Sequence, residues 1–268
     1  MSLADAMITN ASGAQMKHVR DLLAKSKYRT EQGQYVVEGI RMVRELMPED
    51  IISLYVSESF EKTDQMQSLS VPAELVSDSV FEKISDTKTP QGVLAVAKQK
   101  HWQLQDLLQK ERVTLFFLER LQDPGNLGTI IRCAEGAGVD GIILSPGCAD
   151  VYNPKVIRST MGSVLRVPIV AVSDWEETLC EAKAAQVELF AAHLQGTCDY
   201  DQVAYPAKTG VLIGNEANGL TEATAHVCDH LVKIPMEGKV ESLNAAIAAS
   251  VFMYEIYRQK RQQGRVRT

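Results

Sequence analysis

The second half of the chain alternates between short apolar runs and segments in which apolar residues recur at helical spacing. The apolar runs lie at residues 113–118, 139–144, 164–170, 189–192, 211–214 and 231–236. Helices are predicted between them at 127–137, 154–161 and 175–185, the last with Asp174 as its N-cap. A continuous apolar run is typical of a strand buried on both faces, and alternating strands and helices form a parallel sheet. Residues 113–268 are therefore predicted to form an α/β domain around a parallel sheet.

The first hundred residues indicate a second, smaller α/β domain. A basic amphipathic helix is predicted at 15–27, further helices at 40–46 and 78–84, and strands at 35–37, 51–57 and 92–97. The next stretch is polar and rich in glutamine, with Leu104, Leu107 and Leu108 as its apolar anchors. It is predicted to be a linker, so that the chain divides into a domain at 1–100, a linker at 101–112 and a domain at 113–268.

Cysteine, histidine and hydropathy patterns exclude several classes of protein. Five cysteines are scattered, odd in number and never spaced C-x-x-C, which favours reduced thiols over a disulfide framework or a zinc site. His226 and His230 lie four residues apart without an accompanying carboxylate motif, so no metal site is predicted. No apolar run reaches membrane-spanning length, and no signal pattern opens the chain. These features predict a cytoplasmic protein that does not enter a membrane.

The net charge of −6 does not by itself indicate nucleic-acid binding, but the basic residues are concentrated in two places. Residues 17–44 hold seven Lys or Arg against three acidic residues, and the chain from Arg258 onward holds five against none. Local basic patches can bind phosphates on an otherwise acidic protein. The alternative is a solvated helix face and a C-terminal tail, and charge alone favours that alternative.

One short motif is misleading. Gly136, Gly138 and Gly141 spell G-x-G-x-x-G, the fingerprint of dinucleotide-binding proteins. That fingerprint must follow a strand and open a helix, whereas here it follows a predicted helix and opens a predicted strand. The three glycines are predicted to end a helix and form a turn.

The stretch at 232–254 combines a polar loop with an apolar helix. No charged residue lies between Glu241 and Glu255, and the helix is apolar or small on nearly every side, which predicts burial all round. Ser242 and Asn244 stand where this helix starts and where unpaired backbone N–H groups point outward. The stretch alone is compatible with a ligand site or with an ordinary Ser/Asn cap of a core helix.

Three polar segments follow predicted strands of the second half. Ligands of open α/β sheets bind at the carboxyl ends of strands, so these segments are predicted to form one site. The segments are Asn126-x-Gly128-x-x-x-Arg132, then Gly214-Asn215-Glu216-x-x-Gly219-Leu220, and finally Ile234-Pro235-Met236 with Ser242-Leu243-Asn244. In this order they resemble the three motifs of the SpoU (TrmH-like) RNA 2′-O-ribose methyltransferases. The first half is similar to the substrate-binding domain of that family, which is like ribosomal protein L30e, through Arg29, Gly33 and Glu38-Gly39-x-Arg41.

The resemblance implies a fold, a cofactor and an assembly. It implies a parallel-sheet domain with a deep trefoil knot near its C-terminus, although chain connections almost never thread through loops. S-adenosylmethionine would lie bent in the knot, with its adenine held largely by backbone groups. The cofactor-binding residues implied are Gly214, Asn215, Glu216, Gly219, Ile234, Pro235, Met236, Leu243 and Asn244. The family also implies a homodimer through the knotted domain, which fits a C-terminal helix with too many apolar faces for one core.

The resemblance further implies catalytic residues. They are Arg132, Asn126, Glu216, Ser242 and Asn244. Transfer of a methyl group from a sulfonium to a ribose hydroxyl requires alignment in a dry site and loss of the hydroxyl proton. Because a guanidinium is effectively never deprotonated, Arg132 is predicted to bind a substrate phosphate and to stabilise charge on the 2′-oxygen, while phosphate or water takes the proton. Asn126 would hold the ribose or Arg132, and the other three would complete a hydrogen-bond network around Arg132.

The predicted function is methylation of a ribose 2′-hydroxyl in RNA, with 23S or other ribosomal RNA as the substrate. The alternatives are a transfer-RNA 2′-O-methyltransferase and an inactive RNA-binding factor on the same fold. Arg132 has the alternative role of a structural ion-pair partner, and Glu216 and Ser242 that of loop-shaping residues.

Overall fold

The structure is a computed structural model that describes residues 7–264. The chain forms two compact units, of which the first comprises the chain up to Lys100 together with Asp150–Leu165. The second comprises His101–Ala149 and the chain from Arg166 onward. Arg265 and Arg267, two of the basic residues of the C-terminal tail, lie outside the described residues.

The elements follow one another in the alternating order that the sequence predicts. The first hundred residues contain α1 (Ala14–Ala24), α2 (Ser26–Gln32), β1 (Gln34–Glu38), α3 (Ile40–Val43), β2 (Ile51–Ser57), α4 (Glu58–Glu61), β3 (Glu74–Val76), α5 (Asp78–Ile84) and β4 (Val93–Lys98). The rest contains α6 (Leu104–Leu108), β5 (Val113–Leu118), α7 (Pro124–Gly136), β6 (Gly141–Leu144), α8 (Pro154–Thr160), β7 (Ile169–Ala171), α9 (Trp175–Ala184), β8 (Glu188–Ala192), β9 (Cys198–Asp199), β10 (Lys208–Ile213), α10 (Glu222–Val227), β11 (His230–Lys233) and α11 (Ala245–Gln262).

The first unit is built on a four-stranded sheet in the order β1-β4-β2-β3. Strand β4 is antiparallel to both β1 and β2, whereas β3 is parallel to β2. The apolar faces of α1 and α5 pack on this sheet through side chains such as Leu22, Phe81 and Ile84, which are at most 1% exposed. This burial gives the first unit a hydrophobic core of its own.

The basic helix predicted at 15–27 is two helices, because Lys25 adopts an extended conformation with φ −122° and separates α1 from α2. The break turns Arg29 inward, where its side chain is 3% exposed. Its guanidinium donates to the carbonyl of Leu22 at 2.6 Å and to Oδ2 of Asp150 at 2.6 Å. Arg29 therefore joins segment Asp150–Leu165 to the rest of the first unit and is not available to bind RNA.

Three of the six remaining basic residues of the cluster at 17–44 are also engaged at hydrogen-bonding distance. Lys17 and Lys25 both pair with Asp21, at 3.1 and 2.7 Å. Arg44 donates to Oγ of Ser68 at 2.8 Å. Exposed pairs of this kind contribute little stability and reduce the net positive charge of the surface. The interpretation of this cluster as a phosphate-binding patch stays a prediction, and these contacts weaken it.

The second unit is built on a seven-stranded sheet in the order β7-β6-β5-β10-β8-β11-β9, in which every pair of neighbours is parallel. The predicted parallel sheet is thus confirmed. The chain moves outward from β5 to β6 and β7 and then returns to the other side of β5. The boundary between β5 and β10 is the point where the strand order reverses, which is where open α/β sheets bind ligands.

The segment predicted to be a linker is part of the second unit. Helix α6 occupies Leu104–Leu108, and its three leucines are 3–7% exposed within the apolar core formed with β5, β8 and β10. The sequence prediction was wrong here because three leucines at helical spacing are enough to bury one helix face. The predicted division of the chain also differs from the compact units in segment Asp150–Leu165, which belongs to the first unit.

The strand predicted at 164–170 starts later than expected. Ser163–Leu165 form a 3₁₀ turn, and β7 begins only at Ile169, immediately after Pro168. Proline has no backbone N–H for a sheet ladder, so the apolar residues before it do not pair as a strand.

The glycine motif behaves as predicted. Helix α7 ends at Gly136, Gly138 has φ +67°, and β6 begins at Gly141, so the three glycines end a helix and make a turn. Across residues 7–264, no helix is long and apolar enough to cross a membrane. Within the same range, no cluster of His, Cys, Asp and Glu has the geometry to hold a metal ion.

Candidate active site

The carboxyl end of β5 leads directly into α7, and Asp123 sets the start of this helix. The Asp123 side chain accepts a hydrogen bond from the N–H of Asn126 at 2.8 Å, and Pro124 occupies the first helical position. Both features are ordinary for a helix N-terminus. They place Asn126 in the first turn of α7, half-buried at the carboxyl edge of the sheet.

The carboxyl end of β10 leads into a tight loop at 214–220. The backbones of Asn215 and Gly219 exchange hydrogen bonds of 3.0 and 2.9 Å, and Oδ1 of Asn215 accepts from the N–H of Ala217 at 2.9 Å. A β-carbon on Gly214 would lie 2.1 Å from the carbonyl carbon of Gly219. Gly214 is therefore required by the packing of the loop on itself, and any larger residue there would disrupt the loop.

Asn244 begins the third segment and caps α11. Its Oδ1 accepts from the N–H groups of Ala246 and Ile247 at 2.9 and 3.3 Å. Its Nδ2 is free of the cap and donates to Oδ1 of Asn126 at 2.9 Å. Asn244 is therefore the predicted helix cap and also a member of the polar cluster, whereas its part in a ligand site stays a prediction.

Asn126 joins the three segments into one network. Its Nδ2 donates to Oε1 of Glu216 at 3.1 Å, while its Oδ1 accepts from Asn244. The carboxylate of Glu216 also accepts from the backbone N–H groups of Asp123 at 3.2 Å and Gln122 at 3.4 Å. The predicted convergence of the segments after β5, β10 and β11 at one edge of the sheet is thus observed.

Hydrogen bonds keep Glu216 ionised. Partial burial raises the pKa of this carboxyl. Hydrogen bonds from the amide of Asn126 and from the N–H groups of Asp123 and Gln122 lower the pKa by more than burial raises it, so the pKa lies below its usual value of 4.5. A carboxylate that accepts several N–H donors is negative at neutral pH. The site therefore holds a fixed negative charge at its centre.

Arg132 and Ser242 lie outside this network, contrary to the prediction that it surrounds Arg132. Arg132 is exposed on α7 and makes no hydrogen bond or ion pair with any residue of the range 7–264. It lies six positions after Asn126, which puts it about 9 Å along the helix and about 120° around it. Ser242 is exposed on the lining of the adjacent cleft.

A cleft of about 720 Å³ opens beside the network. The ends of β8, β10 and β11 and the start of α11 enclose it. All predicted cofactor residues except Asn244 contribute to its lining, namely Gly214, Asn215, Glu216, Gly219, Ile234, Pro235, Met236 and Leu243. The sequence prediction missed His193, Leu194 and Gln195, which follow β8 at the same edge, and also Ala245, Ala248 and Phe252 on α11. The position of 193–195 directly after a predicted strand was a signal that could have identified them.

Helix α11 is not buried all round. Ala246, Ala249 and Phe252 are at most 2% exposed, but Ile247 is 51% and Tyr254 50% exposed. The prediction of complete burial was wrong because the apolar stripe of Ile247, Val251 and Tyr254, which we call the α11 stripe, faces away from the sheet. Near the middle of α11, a β-carbon on Gly136 at the end of α7 would lie 3.1 Å from Oη of Tyr254, so α7 and α11 lie side by side.

Comparisons with known proteins agree with this geometry. The model of the SpoU rRNA Methylase family matches residues 114–254, and that of the MRM3-like substrate binding domain matches residues 14–95. The chain is 30% identical to the 23S rRNA (guanosine(2553)-2′-O)-methyltransferase RlmP of Bacillus subtilis, over 93% of this chain and 98% of that protein. It is 32% identical to the 23S rRNA (uridine(2479)-2′-O)-methyltransferase of Streptomyces viridochromogenes, over 92% of this chain and 90% of that protein.

A solved structure extends the similarity to three dimensions. The SpoU methyltransferase AviRb of Streptomyces viridochromogenes, in complex with its cofactor AdoMet, is 31% identical to this chain. It superposes with a TM-score of 0.83 over 92% of this chain and 98% of the other. The family model covers more than half of the chain, and the relatives span nearly all of it. This chain belongs to the SpoU rRNA methylase family.

Proposed function

We propose that this protein transfers a methyl group from S-adenosylmethionine to the 2′-hydroxyl of a ribose in ribosomal RNA. The observation that carries the proposal is the hydrogen-bonded series Asn244, Asn126 and Glu216 beside a cleft of about 720 Å³. Two relatives that span almost the whole chain are named as 2′-O-methyltransferases of 23S rRNA, which supports ribosomal RNA over transfer RNA. The cytoplasmic location stays a prediction.

The cleft suits S-adenosylmethionine in size and in chemistry. Its volume lies within the range of roughly 300–1,000 Å³ that is usual for small-molecule sites. Leu220, Leu243 and Phe252 supply apolar surface for an adenine, and Glu216 supplies a negative charge on the same lining. Because Glu216 is ionised at neutral pH, it favours a positively charged sulfonium. Backbone groups of 214–220 and 234–236 would hold the cofactor, which supplies an electrophilic methyl group.

Asn126 is the residue that the network orients toward the substrate. Its amide donates to Glu216 on one side and accepts from Asn244 on the other, so the amide plane is fixed. One N–H and one lone pair of this amide have no partner among the described residues and are available to ribose hydroxyls. A polar group that is oriented before the substrate arrives costs no reorganisation during the reaction.

Arg132 supplies the positive charge of the site. Its planar guanidinium binds the substrate phosphate and stabilises negative charge developing on the 2′-oxygen. It has no partner within residues 7–264 that would neutralise it. Phosphate or water then takes the hydroxyl proton.

The α11 stripe is the contact surface of a homodimer in this proposal. Ile247, Val251 and Tyr254 expose apolar surface on a helix that otherwise packs on the sheet. Arg132 lies on the same face of α7 as Gly136, four residues away, and Gly136 lies beside Tyr254. A second copy that packs on the α11 stripe would cover the region around Arg132 and exclude water from it.

The proposal is tested by mapping 2′-O-methyl groups in total RNA from cells with and without the gene. We expect deletion to remove one methyl group from ribosomal RNA, and the wild-type gene to restore it. Arg132→Ala should restore the methyl group with a rate that is about a hundredfold to a thousandfold lower, the usual cost of removing one charge-stabilising donor. Arg112→Ala is the matched control, because Arg112 is also exposed but lies at the amino end of β5.

Two other outcomes would contradict the proposal. Loss of a methyl group from transfer RNA alone would favour the transfer-RNA enzyme. An unchanged methylation map, with a protein that still binds RNA, would favour the inactive binding factor.

A further inference from the structure

Arg120 has a backbone conformation that its position does not explain. Of the residues that the structure describes, three besides glycine have positive φ, namely Arg120 at 52°, Met161 at 51° and Gln186 at 63°. Met161 ends helix α8 in the left-handed region. Gln186 follows α9, where its N–H bonds the carbonyl of Lys183 at 2.8 Å. A left-handed residue is ordinary at a helix C-terminus, whereas Arg120 follows a strand and precedes a helix start.

Hydrogen bonds on both sides hold Arg120 in this conformation. Its N–H donates to Oγ of Ser145 at the end of β6, at 2.8 Å. Its carbonyl accepts from Nδ2 of Asn215 at the end of β10, at 2.9 Å. A strained backbone persists only where its surroundings fix it, and such positions are frequent at functional sites. Asn215 thus fixes both the loop beside the cleft and the backbone of Arg120.

The side chain of Arg120 is exposed and without a partner. A β-carbon on Gly147 would lie 3.7 Å from Cγ of Arg120 and 4.0 Å from its Nε, so the arginine runs alongside that glycine. Its guanidinium makes no hydrogen bond or ion pair with any residue of the described chain. Arg166 in the same unit, by contrast, is bound to Glu135. The protein has 34 acidic against 28 basic residues, and no acidic residue of the described chain pairs with Arg120.

Arg120 stands next to the catalytic network along the chain. Two residues later, the N–H of Gln122 donates to Glu216, and Asn126 follows in the first turn of α7. Consecutive Cα atoms are 3.8 Å apart, so the backbones of Arg120 and Gln122 lie within about 7.6 Å of each other. A guanidinium at the end of a flexible side chain therefore reaches the surroundings of the reacting ribose. The phosphates on either side of a nucleotide are bonded to its ribose, so they lie within the same surroundings.

We propose that Arg120 binds an RNA phosphate that flanks the target nucleotide, and that its strained backbone fixes this contact relative to Asn126 and Glu216. The inference rests on the proposed function and adds a substrate-binding residue to it. Arg132 acts on the reacting centre, whereas Arg120 acts on substrate affinity and register. The bidentate geometry of a guanidinium suits a phosphate group.

The test uses full-length protein with ribosomal RNA as substrate and compares Arg120→Gly, Arg120→Asn and Arg120→Lys. Glycine and asparagine both tolerate positive φ, so these variants remove the charge and leave the backbone path unchanged. Gln186→Gly is the matched control, because it makes the same backbone change in the turn before β8, at the opposite edge of the sheet. Calorimetry with S-adenosylmethionine and thermal unfolding are measured for every variant.

We expect Arg120→Gly and Arg120→Asn to raise KM for RNA about tenfold, with little change in kcat, as expected from the loss of one phosphate contact. The slope of log KM against log salt should fall by about 0.7 to 0.9, the value for one released counterion. Arg120→Lys should recover part of the affinity, because it retains the charge. Cofactor affinity and melting temperature should match the wild type and Gln186→Gly.

Unchanged KM and salt slope in both neutral variants, with an active wild-type protein, would overturn the inference and leave the proposed function intact. An equal loss of RNA affinity in Gln186→Gly would also overturn the inference, because the loss would then be caused by backbone flexibility and not by the missing charge. A wild-type protein that methylates no RNA would instead overturn the proposed function.

Discussion

Glu216 shows how one side chain fixes several others at the residue scale. It accepts hydrogen bonds from the Asn126 amide and from the N–H groups of Gln122 and Asp123. Every one of these groups is a donor, so only a carboxylate satisfies them all. The structure therefore favours a positioning role over the loop-shaping alternative, because Glu216 orients Asn126 as well as the loop.

Glu216→Gln should lower kcat roughly a hundredfold, because a misplaced reacting group typically costs that much. The glutamine amide would turn an N–H toward donors that need an acceptor. Cofactor binding should weaken less, since most of the cleft is unchanged. The control is Glu222→Gln, which changes an exposed glutamate in the first turn of α10.

The same substitution should alter the dependence of stability on pH. The pKa of Glu216 in the folded protein lies below its usual value of 4.5, so its ionised form stabilises the fold above that usual value. This stabilisation is lost as pH falls through the folded pKa. The difference in melting temperature between wild type and Glu216→Gln should therefore be largest near pH 7 and shrink below about pH 4. A difference that does not change with pH would show that ionised Glu216 does not stabilise the fold.

At the scale of elements, α7 and α11 lie side by side at the proposed active site. Their first turns are joined by the hydrogen bond between Asn126 and Asn244, and their later turns meet at Gly136 and Tyr254. Beside these contacts, Ile247, Tyr254 and Arg132 remain exposed. A helix pair of this kind is complete as a structural unit but leaves an apolar surface that favours association.

Replacing Ile247 and Tyr254 together by glutamate should convert the proposed homodimer to a monomer, because two charges would be buried in an apolar interface. Sedimentation should show a halved mass, and methylation should fall with it if a second copy covers Arg132. The control replaces Lys27, exposed on α2 of the first unit, by glutamate. A double variant that sediments as the wild type does would place the dimer contact elsewhere.

At the scale of the whole molecule, the boundaries of the compact units differ from those that composition suggests. Segment Asp150–Leu165 lies between two strands of the second unit but packs in the first, where Asp150 binds Arg29. Helix α6 lies in the predicted linker but packs in the core of the second unit. The trefoil knot expected from the family stays a prediction.

Leu107→Ala should therefore destabilise the protein by roughly 2–5 kcal/mol, the usual cost of a large-to-small change in a core. Leu107 is 3% exposed, and a β-carbon on Gly141 would lie 2.6 Å from its Cδ1, so the side chain is closely packed. Urea unfolding measures the effect. Gln105→Ala, on the exposed side of α6, is the control. If both variants unfolded at the same urea concentration, residues 101–112 would not contribute to the core and would be a linker, as the sequence predicted.

The sequence by itself determined the parallel sheet, the order of its strands along the chain and the position of the polar segments after them. Strand burial and helix caps can be predicted from residues that are close in sequence. Examples are the buried strand Val113–Leu118 and Asp174, which caps α9 as predicted. The second and third motifs also identified ten of the 23 residues that line the cleft, because residues that follow parallel strands meet at one edge of the sheet.

Tertiary structure alone decided which partners distant residues find. Arg29 looked like part of a basic RNA-binding surface, and only its contact with Asp150, 121 residues away, shows that it is structural. The exposure of Ile247 and Tyr254 depends on how α11 lies against α7, which no local pattern specifies. The positive φ of Arg120 results from bonds to Ser145 and Asn215 on two other strand ends. In each case the deciding energy comes from contacts between segments far apart in sequence, and local periodicity carries no information about them.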